Sequence, residues 1–115
     1  MNAIVVTGFL ADKRFRGDWE KQHLINASNT LLHALTVTNK SGSTVWIQLH
    51  DHASAASEST PEEYPLPTNS VLSVTNRSYA TGLFVRAVTA AGGSTLIAAD
   101  DIKIQADYST GPIAS

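Results

Sequence analysis

In four stretches of this chain every second residue is apolar and the residues between are on the whole more polar. Leu35 and Val37 oppose Thr36 and Thr38; Val45, Ile47 and Leu49 oppose Trp46, Gln48 and His50. Leu83, Val85 and Ala87 oppose Phe84, Arg86 and Val88; Ile102, Ile104, Ala106 and Tyr108 oppose Lys103, Gln105 and Asp107. Successive side chains of a strand point to opposite faces, so each run offers one face to a core and one to solvent. The runs are rich in Val, Ile and Thr, whose branched Cβ suits a pleated surface better than a helix. Turn residues separate them. Asn39-Lys40-Ser41-Gly42-Ser43 and Ala91-Gly92-Gly93-Ser94 are both expected to close hairpins. Asp51 to Glu63 reads as a long polar loop, and Pro61, Pro65 and Pro67 suggest an edge strand or an irregular strand around them, because proline has no N–H for a ladder. About seven or eight short strands at this spacing predict an all-β fold, a single antiparallel sandwich of jelly-roll or immunoglobulin-like type.

With 115 residues there is room for one such domain and one core. A formal net charge of -2 argues against a basic nucleic-acid face, and the absence of Cys excludes a disulfide scaffold, a thiolate metal site and a Cys nucleophile. The apolar start, residues 1–11, lacks the basic residues that open a secretory leader, so no processing is expected. No apolar run reaches the ~20 residues of a membrane-spanning helix.

Charge is unevenly distributed. Residues 12–21 carry seven of the chain's eighteen charged residues. This divides the chain into residues 1–30, an N-terminal strand with a charged and aromatic arm, and residues 31–115, the sandwich body. Arg14, Phe15, Arg16 and Trp19 in the arm are residue types enriched at binding hot spots, and they are the candidate partner-binding residues. Asp18 to Leu24 is expected to form a turn or two of helix, with Asp18 as N-cap and Trp19 and His23 four apart. Removing residues 10–22 is expected to spare the body. Few charges interrupt the strands, only Arg86 and Lys103 lying centrally, which favours burial of sheet edges against neighbouring subunits.

Catalytic patterns are sparse. His50-Asp51-His52 would put two imidazoles on one side of a strand, with His33 or Asp51 as further metal ligands, but a catalytic zinc takes three protein ligands braced by further hydrogen bonds. Glu62-Glu63 and Asp100-Asp101 are adjacent residues that face opposite ways on a strand, so neither pair is poised to share a proton. There is no Gly-x-Ser-x-Gly and no phosphate-binding glycine loop. The expectation is a protein that is not an enzyme, with no catalytic or metal-ligating residues and no cofactor.

Several segments together resemble small virion proteins of tailed bacteriophages. Leu35-Thr-Val37-Thr-Asn39-Lys-Ser41-Gly-Ser43-Thr-Val45-Trp-Ile47-Gln48-Leu49-His-Asp51 is similar to a hairpin of those proteins, in which a strand ends in Asn, a Ser/Gly turn follows and the return strand closes on an aliphatic-Gln-Leu-x-Asp run. Tyr64-Pro-Leu-Pro67, Tyr79-Ala-Thr-Gly82-Leu83-Phe-Val85-Arg-Ala87-Val-Thr89 and Ala106-Asp-Tyr108 resemble their later strands. The resemblance implies a β-sandwich that decorates or cements the capsid, made in the host cytoplasm, binding the major capsid protein and often assembling as a homotrimer, with no nucleic-acid or membrane partner. Similar sandwiches occur in necks, baseplates and fibres. The arm at residues 12–21 has no counterpart in the pattern. The competing expectation is a carbohydrate-binding module in which Trp19, Trp46 and the tyrosines stack on sugars while Asn39 and Asp51 bond hydroxyls.

Overall fold

The computed structural model describes residues 13–54 and 61–110. The apolar start, Asp12 and the middle of the 51–63 loop lie outside the described residues. Eight strands follow one another: β1 (Lys13–Glu20), β2 (Gln22–Asn26), β3 (Thr30–Asn39), β4 (Val45–His50), β5 (Glu62–Leu66), β6 (Ser70–Tyr79), β7 (Leu83–Val88) and β8 (Ile102–Thr110). They form two four-stranded antiparallel sheets, ordered β1-β8-β3-β6 and β2-β7-β4-β5. The pairs β1·β8, β2·β7, β3·β6 and β4·β5 are those of one long hairpin folded over on itself. That is the jelly-roll arrangement of a sandwich. Every connection except β4 to β5 passes from one sheet to the other.

The alternation fixes which face is buried. Leu35, Val37, Ile102, Ile104 and Ala106 from the first sheet meet Val45, Ile47, Leu49, Leu83, Val85 and Ala87 from the second in one apolar core. These are the inward positions expected from period two. β5 is an edge strand, as its Pro65 requires.

Three local expectations are corrected. Asn39–Ser43 does not close a hairpin: β3 and β4 belong to different sheets, and the turn carries the chain across the end of the sandwich. The Asn39 side chain makes that crossing, donating from Nδ2 to Ser43 O and to Leu66 O, both at 3.0 Å, while its Oδ1 accepts from Ser41 N. Ala91–Ser94 closes a hairpin of bridge length only, with Thr89 N donating to Thr95 O at 3.0 Å and Ile97 N to Ala87 O at 3.2 Å, and not one between two full strands. Around Gly92, in the left-handed region at φ 70°, the chain doubles back only far enough for Leu96 to bridge Val88 before it crosses to β8. Finally, Asp18–Leu24 is extended, not helical. Asp18 to Glu20 end β1 and Gln22 to Leu24 begin β2, each held by a ladder to a neighbouring strand, which a short isolated helix has no comparable bonding to oppose.

The charged segment is therefore built into both sheets. Removing residues 10–22 would strip β8 of its neighbour β1, so substitutions, rather than truncation, separate binding from folding there.

Candidate functional site

The outer face of the first sheet collects Arg14, Arg16 and Trp19 of β1 with Lys103 and Asp107 of β8. The register sets out three rows across it: Trp19–Lys103–Thr38–Val71, Arg16–Gln105–Thr36–Ser73 and Arg14–Asp107–Ala34–Thr75. A β-bulge between Arg16 and Trp19 takes up one extra residue of β1, which returns Trp19 to the outer face after Arg16. Asp18, within the bulge, turns its Oδ1 back to accept Trp19 N at 2.8 Å.

Three of the four candidate partner-binding residues share this face. Arg14 and Arg16 flank the Asp107 carboxylate, with Arg16 Nη2 2.9 Å and Arg14 Nε 3.8 Å from Oδ1. Trp19 is half-buried beneath two ammonium groups: Lys40 Nζ lies 4.3 Å and Lys103 Nζ 5.6 Å from the ring centroid. Phe15 is placed otherwise. It pairs with the buried Ala106, packs against the core and stacks on His23 with centroids 3.9 Å apart. Lys40 was missed in the sequence because it belongs to a turn; only the pairing of Asn39 with Ile102 brings it beside β8 and Trp19.

The other polar candidates are engaged in holding the fold. Asp51 accepts the amides of Ala80, Thr81 and Gly82 at 3.0, 2.8 and 3.2 Å, fastening the β6–β7 turn. His50 is fully buried, with Nε2 3.2 Å from Gln48 Oε1, whereas His52 Nδ1 accepts Ser54 N at 3.1 Å. His33 meets Ser109 instead. Among the described residues no three His, Asp or Glu side chains converge as a metal site.

Glu62 and Glu63 have separate neighbours, as expected for adjacent strand residues. Glu63 accepts Gly92 N and Gln48 Nε2. Glu62, on β5, accepts Arg77 Nε at 2.7 Å and Tyr79 Oη at 2.9 Å, both from β6, and also Tyr64 Oη. This group ties together the edge strands of the two sheets. Burial pushes the Glu62 carboxyl up, but hydrogen bonds from Tyr64, Arg77 and Tyr79 and the Arg77 charge outweigh it, so its pKa lies below the ordinary value. Burial, then the hydrogen bond to Glu62, raises the Tyr79 phenol. A carboxylate with a lowered folded pKa stabilises above its unfolded pKa, and that contribution is lost as pH falls through the folded value. Glu62→Gln is expected to cost about 1 kcal/mol near neutral pH, and its penalty should shrink from about pH 5 downward. Urea melts of both proteins across that range check this.

At the end of the sandwich nearest Trp19, an open cavity of about 340 Å³ is lined by Ser41, Ser43, Thr44, Thr89, Ile97 and Asp101, among others. Comparison with family models, with curated proteins and with solved structures finds no match for the chain.

Proposed function

We propose that the chain is a structural virion protein of a tailed bacteriophage, most simply a capsid decoration or cement protein that binds the major capsid protein lattice from the capsid surface. The observation that carries this reading is β1: an end strand of its sheet whose outer face bears Arg14, Arg16 and Trp19, joined there by Lys103 and Lys40. A rigid block supports it. Both ends of the sandwich are tied by side-chain bonds to backbone, through Asn39 at one and Asp51 at the other. Jelly rolls serve in viral capsid and lectin domains alike, so the site, not the fold, decides the reading.

Attachment works by adhesion without a cofactor. A stable protein contact needs about 1,200–2,000 Å² of buried surface, more than one strand supplies. Assembly into a homo-oligomer, a trimer by the family resemblance, would repeat the contact around an axis and multiply weak contacts through avidity. Capsid shells of the phage that encodes the chain should carry it down a sedimentation gradient. Trp19→Ala should weaken attachment by about 2 kcal/mol, roughly thirtyfold. Full occupancy by Trp19→Ala at limiting concentration would remove Trp19 from the contact, and no co-sedimentation of the unaltered chain would overturn the proposal.

A second reading, a carbohydrate-binding module of a fibre, neck or baseplate, is favoured by the cavity, whose lining mixes Val45, Ile97 and Ala98 with Ser41, Ser43, Thr44 and Asp101. The side chains of Asn39 and Asp51 are bonded to backbone, so a sugar there would rely on Ser41, Ser43, Thr44 and Asp101. Saturable binding on a glycan array by the isolated chain would favour this reading over adhesion.

A further inference from the structure

We infer that the segment docking on β1 is an acidic polypeptide in extended conformation, added as a further strand beside Lys13–Arg16 with carboxylates reaching Arg14, Arg16 and the lysines over Trp19. This rests on the reading of β1 as the partner contact and specifies the partner's chemistry. Three observations converge.

The first is the strand's place. Among the described residues β1 has one neighbour, β8, and its other side is a sheet edge. An open edge is the template for strand addition, in which backbone bonds supply affinity and alternate side chains supply selectivity. The bulge after Arg16, with Asp18 closing off Trp19 N, limits regular pairing to the first half of the strand.

The second is charge. The chain has a formal net charge of -2, yet four of its eight Lys and Arg residues, Arg14, Arg16, Lys40 and Lys103, gather on this face or over its Trp19 ring. The carboxylate in the same rows is Asp107, shared between Arg14 and Arg16. Asp18 accepts the Trp19 amide, and Asp100 and Asp101 lie in the loop before β8, where the Asp101 carbonyl accepts Lys40 N at 3.0 Å. A second copy of β1 paired antiparallel about Phe15, within the half that pairs regularly, would set Arg14 against Arg16. By contrast, Ser70 to Thr75 of β6, at the opposite edge, carries no charge and has no means of selecting an acidic partner.

The third is spacing. Residues two apart on a strand lie ~6.8 Å apart on one face. Arg14 and Arg16 follow that step, and the Trp19–Lys103 row comes next after the bulge. An extended peptide with an acidic residue at every second position matches this interval, which polypeptide geometry supplies directly.

The probe is a synthetic peptide of alternating Glu and Thr about ten residues long. Titrated into Trp46→Phe, where Trp19 is the sole tryptophan, it should change the emission saturably, with affinity falling as salt rises. Hydrogen exchange of the Lys13–Arg16 amides should slow in the complex. Lys40→Gln/Lys103→Gln should bind about tenfold more weakly or worse. No saturable response, an undiminished response in the double variant, or binding of a heparin fragment or single-stranded DNA in preference to the peptide would each overturn the inference. The double variant is also to be tested on capsid shells. Undiminished shell binding overturns the acidic-strand inference and leaves the decoration reading standing; peptide binding by a chain that ignores shells does the reverse.

Discussion

Gly82→Ala should destabilise the protein by about 3 kcal/mol, a loss near the upper end for overpacking. Gly82 is buried in the β6–β7 turn, where a Cβ would stand 2.6 Å from His52 O and 2.7 Å from Asn26 O. Both are backbone atoms, so no side chain can swing aside; the turn itself must move. That turn is held by the three amides that Asp51 accepts, and a shift stretches those charge-assisted bonds together. The effects should therefore couple. Asp51→Ala alone is expected to cost about 2–3 kcal/mol, and the double variant should lose less than the two single losses combined. Urea melts of the four proteins measure this, and full additivity would show that Gly82 and Asp51 act separately.

Gln48→Ala is expected to cost about 3 kcal/mol, although Gln48 belongs to no apolar core. Its side chain is 1% exposed on the outer face of the second sheet and uses both ends of its amide. Nε2 donates to Glu63 and to Gly93 O at 2.8 and 2.9 Å; Oε1 accepts Arg86 Nε at 2.7 Å. Because Oε1 can only accept, the 3.2 Å contact with His50 places a proton on His50 Nε2. Alanine would remove at once one bond each to the Arg86 guanidinium, the Glu63 carboxylate, the Gly93 carbonyl and the His50 imidazole. Gln48→Glu should not rescue it: the new carboxylate would suit Arg86 but would confront Glu63 in the neighbouring register position. Thermal melting should place Gln48→Ala and Gln48→Glu both well below the parent; a Gln48→Ala protein that melts within a degree or two of it would show that the network contributes little.

The layout of the strands was legible because a two-residue period leaves little choice. Ile47, Val85 and Ile104 face the core in the structure as their alternation requires. The topology was not legible at that level. A Ser/Gly turn such as Asn39–Ser43 has the same local chemistry whether it returns the chain to its own sheet or carries it to the opposite one. What separates the two is the reach of Asn39 to Leu66, a contact 27 residues away. The Asp18–Leu24 segment misled for a related reason: its spacing fits a short helix, but the bulge that returns Trp19 to the outer face exists only against Lys103 on β8.

The candidate site shows the same division. Residue type singled out Arg14, Phe15, Arg16 and Trp19, and three of them share a face. Strand parity explains why Phe15 does not: it lies one residue from each arginine, opposite Ala106, and so turns inward. No local signal connects Lys40 with Trp19, since their proximity depends on the β3–β8 register. His50-Asp51-His52 looked like chemistry because spacing alone cannot see that Asp51 is occupied by the β6–β7 turn.

Calorimetry of capsid shells with and without the added chain addresses attachment to the lattice most directly. A decoration protein that bridges neighbouring capsid subunits raises the shell's melting temperature at saturation, and it should do so less at equal concentration with Trp19→Ala. A shell that melts at the same temperature with the chain in excess would contradict the adhesive role assigned to β1.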